Sequence, residues 1–587
     1  MFNEIKLQFK REDGLKYKYA FSKSEFFALL FFLVVANLFT INFINRENYI
    51  YFWDCIHYWA KYVEISDLFR INPLGTIRNV IHSIRYMEYN KIAPFLLMPF
   101  GFLFGKERMP YILSIVNIFA FPSVISFVLL YKRVVGKIHD DLPVAVSFIA
   151  VFTMLTFPFF WTPILYGYVG VGGFFVINLI LLTYLKQPFS KQSTGNVLYL
   201  GLLIPVLVLF RRWYAYWAVS FYIALAFNVL ILSFPKHHSE TKRYLVSLLK
   251  VLLVVLVSAM FFMIATPVAI KIIKTDYADI YSAYRFSTTI FQSFGRFFGH
   301  FGLFYVVMFL LGSVYALSCP KIRRFSLLLL PQWIIIFLLF SRTLDFGFHH
   351  YYLLQPTMLL FISLYVANIL LKTKTKTGKI IICSAYVLIS LLNFSAVFIP
   401  KASRYTRLFK HVFPGIRHYP LVRNDIDEIK RLLNVLKDLL SDPGDRVYVL
   451  SSSGILNSSI LHDSYLSLLG DRRMHSQILN THDVDKRDGF PSEFLTARYV
   501  VVAYPIQYHL RPEDQRVVGT LAEFIMDGGN IGTSYKQLPY EFVLDKGVRV
   551  YIYEKVRPFK KTDIDLLSEL FRKHYPDREY LYEITVD

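Results

Sequence analysis

Asp54 stands in the aromatic run YIYFWDCIHYWAKY, residues 49–62. A carboxylate ringed by aromatic side chains can act as general base for an incoming hydroxyl or amine; its plainer reading is a solvated acid at a membrane surface. Glu88 and Lys91 follow in YMEYNKIAP, beside an apolar stretch. A lysine there can hold a phosphate as a point charge, or snorkel to the headgroups as an anchor. Arg211 and Arg212 open RRWYAYW and interrupt an otherwise apolar segment. An arginine at membrane depth costs ~2.5–3.5 kcal/mol on insertion scales and needs a partner; a phosphate held bidentately supplies one, and a tight turn with aromatic anchors is the alternative. His349, His350 and Tyr351 lie in DFGFHHYY, where they can orient a phosphate or an acceptor hydroxyl, or anchor the interface. Arg285 and Arg296 are further candidates for the same cation-rich site. Two adjacent histidines point in different directions on a helix, so they do not make a metal site alone.

The chain that must position these groups has 587 residues, 55% hydrophobic, 18% aromatic and 18% charged. A soluble domain carries more charge, and the apolar residues fall in runs long enough to cross ~30 Å of hydrocarbon. Met1 to Lys23 is polar and basic, unlike a cleavable signal. The net charge of +22 comes from Lys and Arg clustered in short connections, the positive-inside pattern of an inner or plasma membrane protein, and no soluble basic stripe points to nucleic acid. Cys55, Cys319 and Cys383 have no CxxC spacing, so neither a zinc knuckle nor a disulfide framework is indicated.

Ile92 to Phe104 is short and contains Pro94, Pro99 and Gly101, as expected of an interfacial or re-entrant segment. If it does not cross, every second later connection is basic and about eleven spans result, with the N-terminus in the cytoplasm and the C-terminus outside. The expected organisation is a basic arm over 1–23, a membrane domain over 24–400 with a first outer loop at 45–91, and a soluble α/β domain over 401–587. Strands at Arg446–Leu450, Tyr499–Ala503 and Val548–Tyr553 alternate with helices in that last region. The Ser451-Ser452-Ser453-Gly454 turn could cradle a phosphate, but no P-loop or GxGxxG spacing accompanies it. The sequon Asn457-Ser458-Ser459 says nothing without knowledge of the host. No internal repeat is evident.

The order of these segments resembles the GT-C membrane glycosyltransferases, particularly the group containing protein O-mannosyltransferases and the aminoarabinose transferase of lipid A. It rests on Asp54 after the first span, Glu88 and Lys91 ahead of a Pro-containing apolar stretch, and GKERMPYILSIVNIFAFPS running into a span that ends LLYKRVVG. TPILYGYVGVGG and HHYYLLQP follow, so roughly the first four hundred residues are covered. The resemblance implies a polyprenyl-phosphate-linked sugar donor and a lipid, glycan or protein acceptor. Asp54 would be the base for an inverting attack, and Lys91, Arg211 and Arg212 would hold the donor phosphate. Relatives often carry an acidic residue where this chain reads Tyr166-Gly167-Tyr168-Val169-Gly170, so a carboxylate ligand for a divalent metal is missing there; Glu88 is the alternative. Two other readings are an O-antigen polymerase or ligase, which relies on outer arginines and histidines and not on Asp54, and a lipid-linked sugar transporter, which would need polar residues inside paired halves.

Overall fold

A computed structural model describes residues 8–10, 16–18, 21–139, 144–232, 234–235, 238–409, 411–470 and 473–584; most of the basic arm lies outside them. The first helix, α1 (Lys23–Ile44), begins with a reciprocal cap: the Glu25 amide donates to Ser22 Oγ at 3.2 Å and the Ser22 amide to Glu25 Oε2 at 2.8 Å. The other oxygen of Glu25 pairs with Lys132 Nζ at 2.7 Å. Lys132 lies near the end of the long helix α5 (Arg108–Ile138), so α1 and α5 run antiparallel. Midway along them Asn37 and Asn117 exchange side-chain hydrogen bonds at 3.2 and 2.8 Å, a polar pair that satisfies itself between apolar helices.

The chain between these two helices therefore leaves and returns at the same end of the pair. It forms α2 (Asp54–Ile71), α3 (Pro73–Tyr86) and α4 (Ile92–Phe104). The last has 13 residues with Pro99 inside it, too short for a straight span of ~20 residues.

After α5 come α6 (Val144–Thr156), α7 (Pro158–Leu165), α8 (Val171–Tyr184), α9 (Thr194–Phe210), α10 (Tyr214–Leu230) and α11 (Thr241–Ala265). They are followed by α12 (Ile290–Phe301), α13 (Leu303–Ser318), α14 (Pro320–Thr343), α15 (Gln355–Lys372) and α16 (Lys376–Phe398). Among the described residues six helices are long and apolar enough to cross a membrane, and eight do so if the bent pairs α6–α7 (46°) and α12–α13 (108°) each count as one. The protein is an integral membrane protein. The helices α8, α9 and α10 stand where spans were expected and have 14, 17 and 17 residues.

The C-terminal region is an α/β unit. Its elements are α17 (Ile426–Leu439), β1 (Val447–Leu450), α18 (Ser458–His462), β2 (Tyr499–Tyr504), α19 (Arg516–Asp527), β3 (Tyr535–Leu544), β4 (Val548–Lys555) and α20 (Lys561–His574). The sheet order is β1-β2-β4-β3, with β1 and β2 parallel and the other pairs antiparallel. Period-two alternation sends Val447, Val449, Val501 and Ile552 toward Leu432 and Leu436 of α17. Leu450, Val500 and Val502 face Leu521 of α19 and Leu567 of α20 on the other side.

This unit is stitched to the loop that precedes α2. The Asn48 amide donates to the Leu421 carbonyl at 2.9 Å, the Arg423 amide donates back to the Asn48 carbonyl at 2.8 Å, and Ile50 is buried within the core on the α17 face of the sheet. Arg423 is itself fixed by a two-pronged pair to Asp425, both bonds at 2.8 Å.

Close helix crossings depend on small residues. A Cβ on Gly312 of α13 would fall 2.2 Å from the Phe361 carbonyl oxygen of α15, a backbone atom that cannot swing aside. Gly312→Val should lower the thermal midpoint of the detergent-solubilised protein, reflecting the ~1–3 kcal/mol that overpacking costs. Gly195→Ala, where an added Cβ meets nothing within 4 Å, should leave it unchanged or raise it slightly.

Candidate functional site

A cavity of ≈ 1260 Å³ lies between the helices and the C-terminal region, with Asp54 on its wall. Four contacts place that carboxylate. Tyr51 lies under the buried guanidinium of Arg108, 3.6 Å from the ring centre, and Arg108 also donates to the Leu165 carbonyl at 2.9 Å. Trp53 adopts φ +49° and ψ −135°, a conformation that costs on the order of 1–3 kcal/mol. Its amide donates to Ser459 Oγ at 2.9 Å, and its indole packs on His509 with ring centres 4.6 Å apart. Asp54 then starts α2. At intervals of three, seven and ten residues His57, Lys61 and Glu64 share its helical face, and all four line the cavity.

The turn between α9 and α10 supplies the cations. Arg211 is extended and buried; its Nη2 donates to Asp54 Oδ2 at 3.0 Å and its guanidinium lies 5.0 Å from the Tyr168 ring centre. Arg212 pairs with Glu88 and donates to the hydroxyls of Tyr89 at 3.1 Å and Tyr281 at 2.6 Å. Arg212 lines the cavity; Arg211 sits behind Asp54 and does not. The loop between α7 and α8 passes close by because Gly167 takes φ +87° while Tyr111 donates to its carbonyl at 2.7 Å. Tyr168, next in that loop, stacks on His349 at 4.6 Å and 7°.

Several donors converge here without acceptors. Among the described residues Arg211 Nε and Nη1, Arg212 Nε, His57 Nε2, His349 Nδ1 and His350 Nε2 are buried with no hydrogen-bond partner. Such atoms are rare in native interiors and mark strain or a ligand site. Burial first, then their mutual proximity and the charge of Arg211, hold the His349 imidazole well below its ordinary range. Burial and the two arginines do the same for His350. Both rings are neutral at pH 7 and carry one N–H each. Burial and the charge of Lys61 lower His57 as well. Lys61 is pulled down to about 8 by burial and the charge of Lys91.

The structure does not bring every expected residue to this place. Lys91 is held at 2.6 Å from Glu64 Oε1 and 2.9 Å from Asn79 Oδ1 and does not line the cavity. Tyr351 is hydrogen-bonded to His300 within an aromatic cluster. Arg285 is exposed and reaches the Arg342 carbonyl at 3.4 Å. Arg296 does line the cavity and pairs with Asp345 at 2.8 Å. The Ser451–Ser453 turn is occupied internally: its hydroxyls donate to the Leu456 carbonyl at 2.7 Å, Asp483 at 2.5 Å and Gln507 at 3.0 Å. Asn457 of the sequon is buried and caps α18, so it cannot present its amide for glycosylation.

Sequence reasoning missed His57, Lys61 and Glu64, although their spacing from Asp54 was a readable signal. It also missed His462, Asp463, His475 and Asp483, which line the cavity from the C-terminal region. Nothing in their local sequence marks them. Among the described residues His462, Asp463 and His475 are the group able to offer three metal ligands, with ligand atoms within 4.8 Å of one another.

No family model matches the chain, and no curated protein matches it. Two similar solved structures are both of ArnT from Cupriavidus metallidurans. The one bound to undecaprenyl phosphate covers 89% of this chain and 97% of its own, at 12% identity and a TM-score of 0.49. The apo state covers 90% and 98%, at 10% identity and a TM-score of 0.46.

Proposed function

We propose that the protein is an inverting glycosyltransferase that moves a sugar from a polyprenyl-phosphate donor to an acceptor hydroxyl or amine at the outer face of the membrane. The observation that carries this reading is the convergence of a carboxylate with buried, unpartnered nitrogen donors at one wall of a large cavity. Asp54 Oδ1 accepts the acceptor proton while the acceptor attacks the anomeric carbon. The bond from that carbon to the phosphate oxygen breaks, and the lipid phosphate leaves with the electron pair. Arg212, His349 and His350 donate to the departing oxygens, Arg296 approaches from α12, and preorganised donors of this kind are the largest expected term in catalysis. Arg211, from behind, fixes the direction of Asp54 through Oδ2. Lys91 keeps Glu64 in place on the cavity-facing side of α2, and Glu88 does so for Arg212.

A polymerase or ligase built on arginines and histidines would not need Asp54. Asp54→Asn should therefore discriminate: it keeps the shape and removes the proton acceptor, and general-base assistance is worth ~10²–10⁴-fold in turnover. Near-parental transfer by folded Asp54→Asn, measured with radiolabelled polyprenyl-phosphate sugar in proteoliposomes, would rule the base out. Because Arg211 is buried, the same variant leaves a guanidinium short of its partner, so its thermal midpoint must be measured alongside.

Arg212→Lys conserves charge but not the planar fork. It should weaken donor binding by roughly tenfold or more, measured by retention of polyprenyl phosphate, and Arg212→Ala should do no better. Donor binding at the parental level in both variants would make Arg212 a structural anchor of Glu88 and Tyr281.

We further propose about eleven spans, with the arm 1–23 inside, the membrane domain over 24–400 and the α/β domain 401–587 outside. The antiparallel α1–α5 pair supports an even number of crossings between them, and the basic connections then fall on one side. A reporter active only in the cytoplasm, fused after Asp587, should be silent; an active fusion overturns this topology.

A further inference from the structure

We infer that His462, Asp463 and His475 form a binding site for a zinc-class divalent transition metal, on the cavity wall that the C-terminal region contributes. Two imidazoles with one carboxylate are the donor set of zinc sites that keep a coordination position open; magnesium and calcium favour all-oxygen shells. The three ligand atoms lie within 4.8 Å of one another. A tetrahedral shell with bonds of ~2.1 Å brings its ligand atoms to roughly 3.4 Å, so side-chain rotations closing at most about 1.4 Å complete it. His462 Nδ1 and Asp463 Oδ1 are already at 3.1 Å, and the two imidazole centres are 3.6 Å apart.

The surroundings orient these ligands as outer partners of a metal site do. Ser459 Oγ donates to Asp463 Oδ2 at 2.9 Å, which leaves Oδ1 directed at the imidazole. His475 Nδ1 faces the His462 carbonyl at 3.5 Å; an N–H given there leaves Nε2 as the ligand atom. Asp463 is buried, His462 half-buried and His475 exposed, and all three line the cavity, so the fourth position opens toward its contents.

The same Ser459 oxygen receives the Trp53 amide at 2.9 Å. The metal site thus joins the backbone immediately before Asp54 through two hydrogen bonds. It clamps the α18 segment, and with it the strained residue that aims the carboxylate. The site does not depend on the proposed glycosyl transfer, and its test reads metal rather than turnover.

Full-length protein in detergent, stripped with chelator and dialysed, should take up one equivalent of Co²⁺ with the visible d–d absorption of a four- or five-coordinate ion. Zn²⁺ should erase that spectrum and excess Mg²⁺ should not. His462→Ala and His475→Ala should each abolish it, His82→Ala should keep it, and Ser459→Ala should weaken binding roughly 10–100-fold. Because the alanine variants could misfold, the parent protein supplies a second measurement. Zn²⁺ should protect His462 and His475, and not His82, from acylation by diethyl pyrocarbonate, read by peptide mass spectrometry. No stoichiometric Co²⁺ spectrum in the parent, a spectrum retained by the His462→Ala and His475→Ala double variant, or Zn²⁺-independent acylation of both histidines would each overturn the proposal.

Discussion

A guanidinium buried as deeply as that of Arg211 has to be compensated, and the architecture around the cavity is built on how this is done. An unpaired charge in such a place carries an effective penalty of several kcal/mol. Asp54 supplies the opposite charge, the Tyr168 and Tyr58 rings lie 5.0 and 5.9 Å from the guanidinium carbon, and two nitrogens are left over. To bring about even this partial compensation, the start of α2, the turn after α9 and the loop after α7 must meet. Each arrives from a different part of the chain, so the site is a property of the packed bundle rather than of any one motif.

A second buried pair does the corresponding work between α1 and α5. Glu25 and Lys132 tie the start of α1 to the end of α5 with side chains only 6% and 10% exposed, and Ser147 donates to the same carboxylate. Midway along these two helices the Asn37–Asn117 pair adds a polar contact between them. In a layer where lipid tails compete with side chains for every apolar contact, such polar pins contribute register more than net stability. Close-packed glycines such as Gly312 supply the fit.

Much of this was legible in the chain, for reasons that differ by element. The long helices α1, α5 and α11 could be read because length and hydropathy alone define them. Asp54, Arg211 and Arg212 stood out because charge in an apolar setting is expensive and so rarely incidental. What could not be read was pairing. Lys91 and Arg212 carry the same charge, yet Glu64 and Asn79 hold the first away from the cavity while the second lines it. Nor does any local pattern in the residues around His462 and His475 foretell that they line the same cavity as Asp54, because a sequence records no distance between segments some four hundred positions apart. The His57, Lys61 and Glu64 stripe is the intermediate case: its helical spacing was visible, but the aromatic run around it masked the periodicity.

The insertion of Ile50 into the core of the C-terminal sheet sets a timetable for biogenesis. The loop carrying this residue is translated well before its backbone partner, Arg423 lying 375 positions after Asn48. At ~5–20 residues per second the loop waits on the order of 20–75 s before its partners exist. Until then Ile50 and Phe52 are uncovered, and Trp53 has no Ser459 to hold its strained backbone. The carboxylate end of α2 is consequently finished only after the segment around Ser459 has been made. A chain that stops short of the sheet can insert every helix and still lack a correctly aimed Asp54. Assembly of this site therefore waits until translation has passed Ser459.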